Sequence, residues 1–230
     1  EDAHHLIRVL RVKIGEQIIV SDGAGTEVLG KVSATEESAV IVERVTELKA
    51  DGEPDVEVWI AQSLPKGDKF ETVVQKCTEL GASRIIPFIS DRTIVRYDEK
   101  KLQRRMERWQ KIAKEAAEQS HRSAIPVIES PRDWAALLES VPSANTLLCY
   151  EQERSKGIKT ALQSLRTKAV SEQKPMLIII GPEGGLTEVE AKQAQEAGCV
   201  TVSLGRRILR TETAAMTALT CIMYEFDEMN

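Results

Sequence analysis

The 230 residues hold little with which to build a cross-linked, metal-bound or membrane-inserted protein. Cysteine occurs only at 77, 149, 199 and 221, far apart and each within apolar sequence. That spacing excludes a disulfide framework and a zinc knuckle, and reads as free thiols in a reducing cytoplasm. Of the three histidines, His4 and His5 are adjacent, and neighbouring side chains on a helix do not converge, so no metal is expected. The longest aliphatic run, Met176–Ile180, is far short of the roughly 20 apolar residues a membrane helix needs, and no signal peptide is visible. A cytoplasmic protein without a membrane partner is therefore expected. Aromatics are only 4%, so aliphatics must fill the core. With 42% hydrophobic and 29% charged residues the composition is globular rather than disordered. The length fits one or two domains.

Charge is uneven. The chain carries a net −5, yet residues 92–122 hold ten Lys/Arg against five acids. A local excess of five positive charges on an acidic chain points to an anionic partner.

Residues 1–48 read as a small β-rich unit. Gln17–Ser21, Glu27–Ser33 and Ser38–Thr46 are β-prone, with Asp22-Gly23 and Glu36-Glu37 at the turns. His4–Leu10 can form a short preceding helix. Residues 49–55, polar with Gly52 and Pro54, read as a linker. From 56 to 230 the pattern changes to compact apolar strands separated by helices. The strand candidates are Val56–Ala61, Arg84–Ile89, Thr146–Tyr150, Met176–Ile180 and Val200–Ser203. Asp68 with Glu71, and Thr187 with Glu190, have capping-box spacing, and Gly81 and Gly198 end the two helices. Leu102, Met106, Trp109, Ala113 and Ala116 form a helical stripe, and Thr211–Phe226 is a final apolar helix. This alternation predicts an α/β domain whose parallel sheet is covered on both faces.

Two turns carry the chemistry. Ile178-Ile179-Ile180-Gly181-Pro182-Glu183-Gly184-Gly185-Leu186-Thr187 runs a buried strand into a glycine turn and a capped helix. The carboxyl end of a parallel strand is where α/β proteins bind ligands. It is neither a P-loop nor a dinucleotide fingerprint, and Glu183 would repel phosphate. One strand later comes Leu204-Gly205-Arg206-Arg207-Ile208-Leu209-Arg210-Thr211-Glu212-Thr213-Ala214. Arg210 immediately precedes a helix N-terminus, where a cation is electrostatically unfavourable; such placement points to function, with simple pairing to Glu212 as the structural alternative.

Together these turns closely resemble the ribosomal RNA uridine-N3 methyltransferases of the SPOUT superfamily, and the resemblance covers nearly the whole chain. His4-His5-Leu6 with Val9-Leu10-Arg11 resembles the family's opening motif. Leu64-Pro65-Lys66-Gly67-Asp68-Lys69, Thr78-Glu79-Leu80-Gly81, Arg108-Trp109 and Glu115-Ala116-Ala117-Glu118-Gln119-Ser120 resemble its middle motifs. The chain starts almost at the His-His pair, so the first strand of the family's N-terminal barrel is expected to be missing. Arg206 falls at a variable position and receives no role.

The resemblance implies a PUA-like barrel over 1–48 that holds RNA, and a SPOUT domain over 56–230 containing a trefoil knot. It implies S-adenosyl-L-methionine as cofactor, held by Ile180, Gly181, Pro182, Glu183 and Gly184, by Leu204, Gly205, Ile208, Leu209, Arg210 and Thr213, and by a third wall at Leu148, Tyr150 and Glu151. It implies a homodimer, with the helix Ala214–Phe226 as a contact. The implied reaction is methylation of N3 of one uridine in 16S ribosomal RNA of the small subunit. Uridine N3 is a poor nucleophile until its proton leaves, so the enzyme must favour the anion and align it with the methyl donor. Arg210 is the candidate that stabilises the developing anion, and Glu183 or Glu212 the candidate proton acceptor. Arg8, Arg11, Lys66, Lys69, Arg92, Arg96, Arg104, Arg108 and Arg122 are expected to face the RNA, each phosphate contact adding salt-sensitive affinity. A related enzyme acting on a transfer-RNA base or a ribose 2′-hydroxyl, and an RNA-binding assembly factor without activity, are the alternatives.

Overall fold

A computed structural model describes residues 2–49 and 51–229, with the side chains of 167–172 outside the description. Ala50 of the expected linker therefore lies outside the described residues. The chain divides into two compact units, one of residues 1–53 with 121–124 and one of 54–120 with 125–230.

The first unit opens with α1 (Asp2–His4), which runs into a π-helical turn, His5–Val9. An antiparallel sheet follows, in the order β1 (Gln17–Ser21), β2 (Glu27–Thr35) and β3 (Val40–Leu48). The β2–β3 register shifts between Leu29 and Gly30 and again between Val32 and Ala34. A Cβ at Gly30 would lie 2.1 Å from the Val42 side chain, so the close strand approach there requires glycine. The expected barrel is, among the described residues, an open three-stranded sheet. Residues 121–124 complete the unit. Ser21 Oγ donates to the Ser123 carbonyl, and Arg122 pairs with Glu53 at 2.6 Å with its side chain only 4% exposed.

Arg122 is therefore corrected from the RNA-facing set. Its guanidinium is a buried tie rather than a phosphate ligand. Glu53 also accepts the Ala124 N–H at 3.0 Å, so one carboxylate fastens this segment at two points.

The second unit is an α/β layer structure. Its strands are β4 (Val58–Ser63), β5 (Arg84–Ile89), β6 (Val127–Ile128), β7 (Arg132–Asp133), β8 (Asn145–Cys149), β9 (Met176–Ile180) and β10 (Val200–Val202). They pair in parallel in the order β10-β8-β9-β4-β5-β6, with β7 also on β5. The helices are α2 (Lys69–Glu79), α3 (Glu99–Gln119), α4 (Trp134–Leu138), α5 (Ile158–Glu172), α6 (Glu188–Glu196) and α7 (Thr211–Glu225). Strand side chains alternate between two buried faces. Along β9, Met176, Ile178 and Ile180 join the core beneath α2, α3, α5 and α7, while Leu177 and Ile179 join the core beneath α4 and α6. A sheet buried on both sides needs apolar residues at consecutive positions, which is why this strand reads as an unbroken run. The few aromatics cluster, with Phe70 and Trp109 ring centroids 4.4 Å apart at the α2–α3 contact.

The starts of α6 and α2 contrast. Thr187 and Glu190 form a reciprocal capping box on α6. Asp68 precedes α2 but makes no side-chain cap, its backbone lying outside the extended region usual at an N-cap, and Glu71 instead accepts Arg105 at 2.6 Å and Arg108 at 2.7 Å. The predicted Asp68–Glu71 box is thus replaced by an ion-pair cluster that holds α3 to α2. The segment after β8 is fixed in a similar way. Glu153 accepts the Ser155 N–H and hydroxyl and the Lys156 N–H on one oxygen, and the Thr201 hydroxyl on the other.

Two outcomes are expected. Arg122→Ala leaves Glu53 without its cation and costs about 3 kcal/mol of stability in chemical denaturation, while RNA affinity of the folded protein is retained. A loss of RNA affinity without loss of stability overturns that assignment. The hydrogen bonds from Ser155 above all, joined by those from Thr201 and Lys156, hold the Glu153 carboxyl at about 2, well below its ordinary value. A depressed carboxyl contributes stability that is complete above the unfolded value and disappears as pH falls through the folded one. The stability difference between the native chain and Glu153→Gln therefore shrinks as pH is lowered from about 4.5 to about 2. Equal pH slopes for the two proteins would refute it.

Candidate active site

Because the strands are parallel, their carboxyl ends share one edge. β8 lies between β9 and β10, so the turns that follow these three strands become neighbours. They enclose a cleft of about 570 Å³, part of it open to solvent, lined from β8 onward by Cys149, Tyr150, Glu151 and Arg154. The turn after β9 contributes Ile180, Gly181, Pro182 and Gly185, and the turn after β10 contributes Ser203, Leu204, Gly205, Arg207, Ile208 and Leu209, with Ala214 of α7.

Two glycines shape it. Gly185 has φ +69°, and a Cβ there would lie 2.1 Å from Glu151 Oε1, so the glycine lets that carboxylate lie against the turn. Gly205 has φ +109° and keeps the backbone free of a side chain at the mouth. Ile180, Leu204 and Leu209 supply apolar wall, and Ile208 is 72% exposed. Tyr150 Oη is buried without a hydrogen-bond partner among the described residues. Burial raises its pKa, so the phenol stays protonated and able to donate. An apolar cleft with an unpaired hydroxyl, a carboxylate and two arginines suits a ligand with a flat apolar body and charged ends.

The structure thus brings together Tyr150, Glu151, Ile180, Gly181, Pro182, Leu204, Gly205, Ile208 and Leu209 of the expected cofactor set. It does not bring the others to the cleft. Leu148 is fully buried, because strand alternation turns it into the α4–α6 core and leaves the next residue, Cys149, on the cleft. The Gly184 carbonyl faces Arg92, accepting its Nη1 at 2.8 Å. Arg210 and Thr213 lie beyond the lining, Arg210 as the exposed residue before α7 with no side-chain cap. Arg154, Ser203 and Arg207 were not anticipated. The signal for them was positional: each follows the end of a strand that flanks the turns already identified.

Glu183 is committed elsewhere. It accepts the Lys66 N–H at 3.1 Å and Lys69 Nζ at 2.8 Å. Burial raises its pKa, but the Lys69 hydrogen bond, its own backbone and the Lys66 N–H outweigh this and lower it. A carboxylate so stabilised is a weak proton acceptor. Glu212, in contrast, keeps Oε2 buried without a hydrogen-bond partner among the described residues.

The cationic set also divides. Arg8, Arg11, Lys66, Arg92, Arg96, Arg104 and Arg108 are exposed, while Lys69 is half-buried against Glu183. Arg96 donates to the Thr93 and Val95 carbonyls, and Arg108 is paired with Glu71 yet 62% exposed. Groups of acid, histidine and cysteine side chains able to hold a metal are absent among the described residues, and no helix among them is long and apolar enough to cross a membrane.

The model of the RNA methyltransferase domain matches residues 52–223, and that of the RNA methyltransferase PUA domain residues 1–43. Ribosomal RNA small subunit methyltransferase E of Bacillus subtilis is 40% identical over 228 residues, which is 98% of this chain and 88% of that protein. The protein of the same name from Synechocystis is 36% identical, over 94% of this chain and 68% of that protein. The crystal structure of a ribosomal RNA small subunit methyltransferase E from Neisseria gonorrhoeae bound to S-adenosyl methionine superposes with a TM-score of 0.85 at 34% identity, covering 97% of this chain and 88% of that one. By the extent of these matches the chain belongs to the RNA methyltransferase family that includes the ribosomal RNA small subunit methyltransferases E.

Proposed function

We propose that the chain uses S-adenosyl-L-methionine to methylate N3 of a uridine in 16S ribosomal RNA of the small subunit. The observation that carries the reading is the convergence of the turns after β8, β9 and β10 on one cleft, in a chain of this family. The cleft's chemistry fits the cofactor. Ile180, Leu204 and Leu209 offer an apolar bed for a nucleoside, and Tyr150 Oη has a hydrogen bond to give. Glu151 can meet an ammonium or sulfonium, and Arg154 and Arg207 a carboxylate. Bound there, the cofactor supplies an activated methyl group on sulfur.

The remaining work falls to the chain. Arg210 carries no side-chain cap role and stands exposed beside the cleft turn, free to face the oxygens of a uracil as charge develops on its ring. Glu212, with its unpaired oxygen, is the better candidate to accept the N3 proton, and Glu183 acts as a latch that holds the Lys66–Lys69 segment to the glycine turn. The exposed arginines and Lys66 supply phosphate contacts. We place the protein in the cytoplasm, and assign it a homodimer. Within one copy, α7 already buries Ala215, Ala218, Leu219 and Ile222 against its own core. Tyr224, 74% exposed, is a side chain of that helix open to a second copy.

Purified protein is expected to transfer labelled methyl from S-adenosyl-L-methionine to small ribosomal subunits. Mass spectrometry of the digested RNA should show N3-methyluridine; a ribose-methylated nucleoside, or cofactor binding without transfer, overturns the assignment. Arg210→Ala should lower the transfer rate by about 10²–10³-fold with cofactor affinity nearly unchanged, as loss of one stabilising donor does. Gly185→Ala places a side chain at φ +69° against Glu151, and chemical denaturation should find the fold about 1–2 kcal/mol less stable, the cost of one left-handed non-glycine residue.

A further inference from the structure

The end of β4 carries a buried polar chain that no role above accounts for. Gln62 is fully buried and pairs in register with Ile180, the residue before the glycine turn. Its Nε2 donates to the Ser63 carbonyl at 3.0 Å and to Thr211 Oγ1 at 2.8 Å. A carbonyl only accepts, so the Ser63 contact fixes which end of the amide points this way. Thr211 Oγ1 must then accept from Gln62, and its single proton goes to the Gly181 carbonyl at 2.7 Å. Every hydrogen in the chain has one available direction. Thr211 is itself only 6% exposed and is the first residue of α7, directly after Arg210.

Gly181 belongs to the cleft wall and Arg210 is the proposed anion-stabilising residue, so the Thr211 hydroxyl joins the two by their backbones. Gln62 sets the direction of that hydroxyl and leaves its own Oε1 buried and unpaired among the described residues. An unpaired buried acceptor is costly, which argues that the amide is kept for the donation it makes. We propose that Gln62 and Thr211 are positioning residues for methyl transfer, a two-step relay that holds Arg210 in register with the glycine turn. The inference rests on the methyltransferase reading above.

The test is single-turnover methyl transfer to small ribosomal subunits with saturating S-adenosyl-L-methionine. Gln62→Leu and Thr211→Val should each slow transfer roughly 10–100-fold, the effect of misplacing a catalytic group by about an ångström. Thr211→Ser, which keeps the hydroxyl, should stay within about threefold of the native rate. Because the relay acts through Arg210, Thr211→Val added to Arg210→Ala should slow transfer no further than Arg210→Ala alone. Additive losses, or a Thr211→Ser variant as slow as Thr211→Val, refute the relay while leaving the functional reading intact. A native protein that binds the cofactor and transfers nothing refutes both.

Discussion

The constraint on which the second unit depends is the insertion of β9 between β4 and β8. β9 follows both in sequence, yet it takes ladder partners from each along its whole length, with Met176 opposite both Val58 and Asn145, and Ile180 opposite both Gln62 and Cys149. A strand buried on two faces and paired on two edges leaves no polar group to solvent, so its sequence must be apolar throughout and its register is tightly fixed. Everything that happens at its end inherits that precision. The glycine turn starts from Ile180, flanked on one side by the end of β4 and its Lys66–Lys69 segment and on the other by the loop after β8. The cleft is therefore a consequence of strand order rather than of the turn sequences alone.

Charge in this unit is spent more on assembly than a count of arginines implies. Arg105 and Arg108 converge on Glu71, and Lys69 holds Glu183. In the first unit Arg122 is sequestered by Glu53. Buried or half-buried pairs of this kind gain little net stability over apolar substitutes, but removing one partner is expensive, so they fix geometry. The same logic separates the two acids of the cleft turns. Donors around Glu183 hold its pKa below the ordinary carboxylate value, whereas Glu212 keeps an oxygen without a hydrogen-bond partner among the described residues. Proton-accepting capacity and structural clamping are opposite uses of a carboxylate, and hydrogen-bond donors decide between them.

The sequence foretold those features that depend on neighbours in the chain. β5 and β9 fall at Arg84–Ile89 and Met176–Ile180 as read from their apolar runs, and the Thr187–Glu190 box is present because both partners lie within one helical turn. What it could not supply depends on partners distant in sequence. Asp68 and Glu71 have capping spacing, but Glu71 is claimed by arginines 34 and 37 residues away. Arg122 sits in the most basic stretch and is buried by Glu53, 69 residues earlier. The resemblance implies Leu148 in the cleft wall, but its side chain joins the α4–α6 core, and a single step along a strand exchanges the faces of a sheet. The turns after β8, β9 and β10 meet because β8 lies between the other two strands.

One sequence expectation concerns energy rather than position. Arg210 occupies the N-cap of α7, where serine, threonine or aspartate would satisfy a free N–H, and it offers no side-chain hydrogen bond. Its cation also stands at the positive end of the helix, a cost of about 0.3–1 kcal/mol. Glu212 in the first turn offsets part of the charge, and Thr211 uses its hydroxyl on Gly181 rather than on the helix. No stabilising partner of Arg210 is present among the described residues that would repay the placement. Under the role proposed for Arg210, a helix start that declines its best cap and ties the next residue into the cleft wall suits charge that arrives with a substrate. The folding of the isolated chain supplies none of that charge.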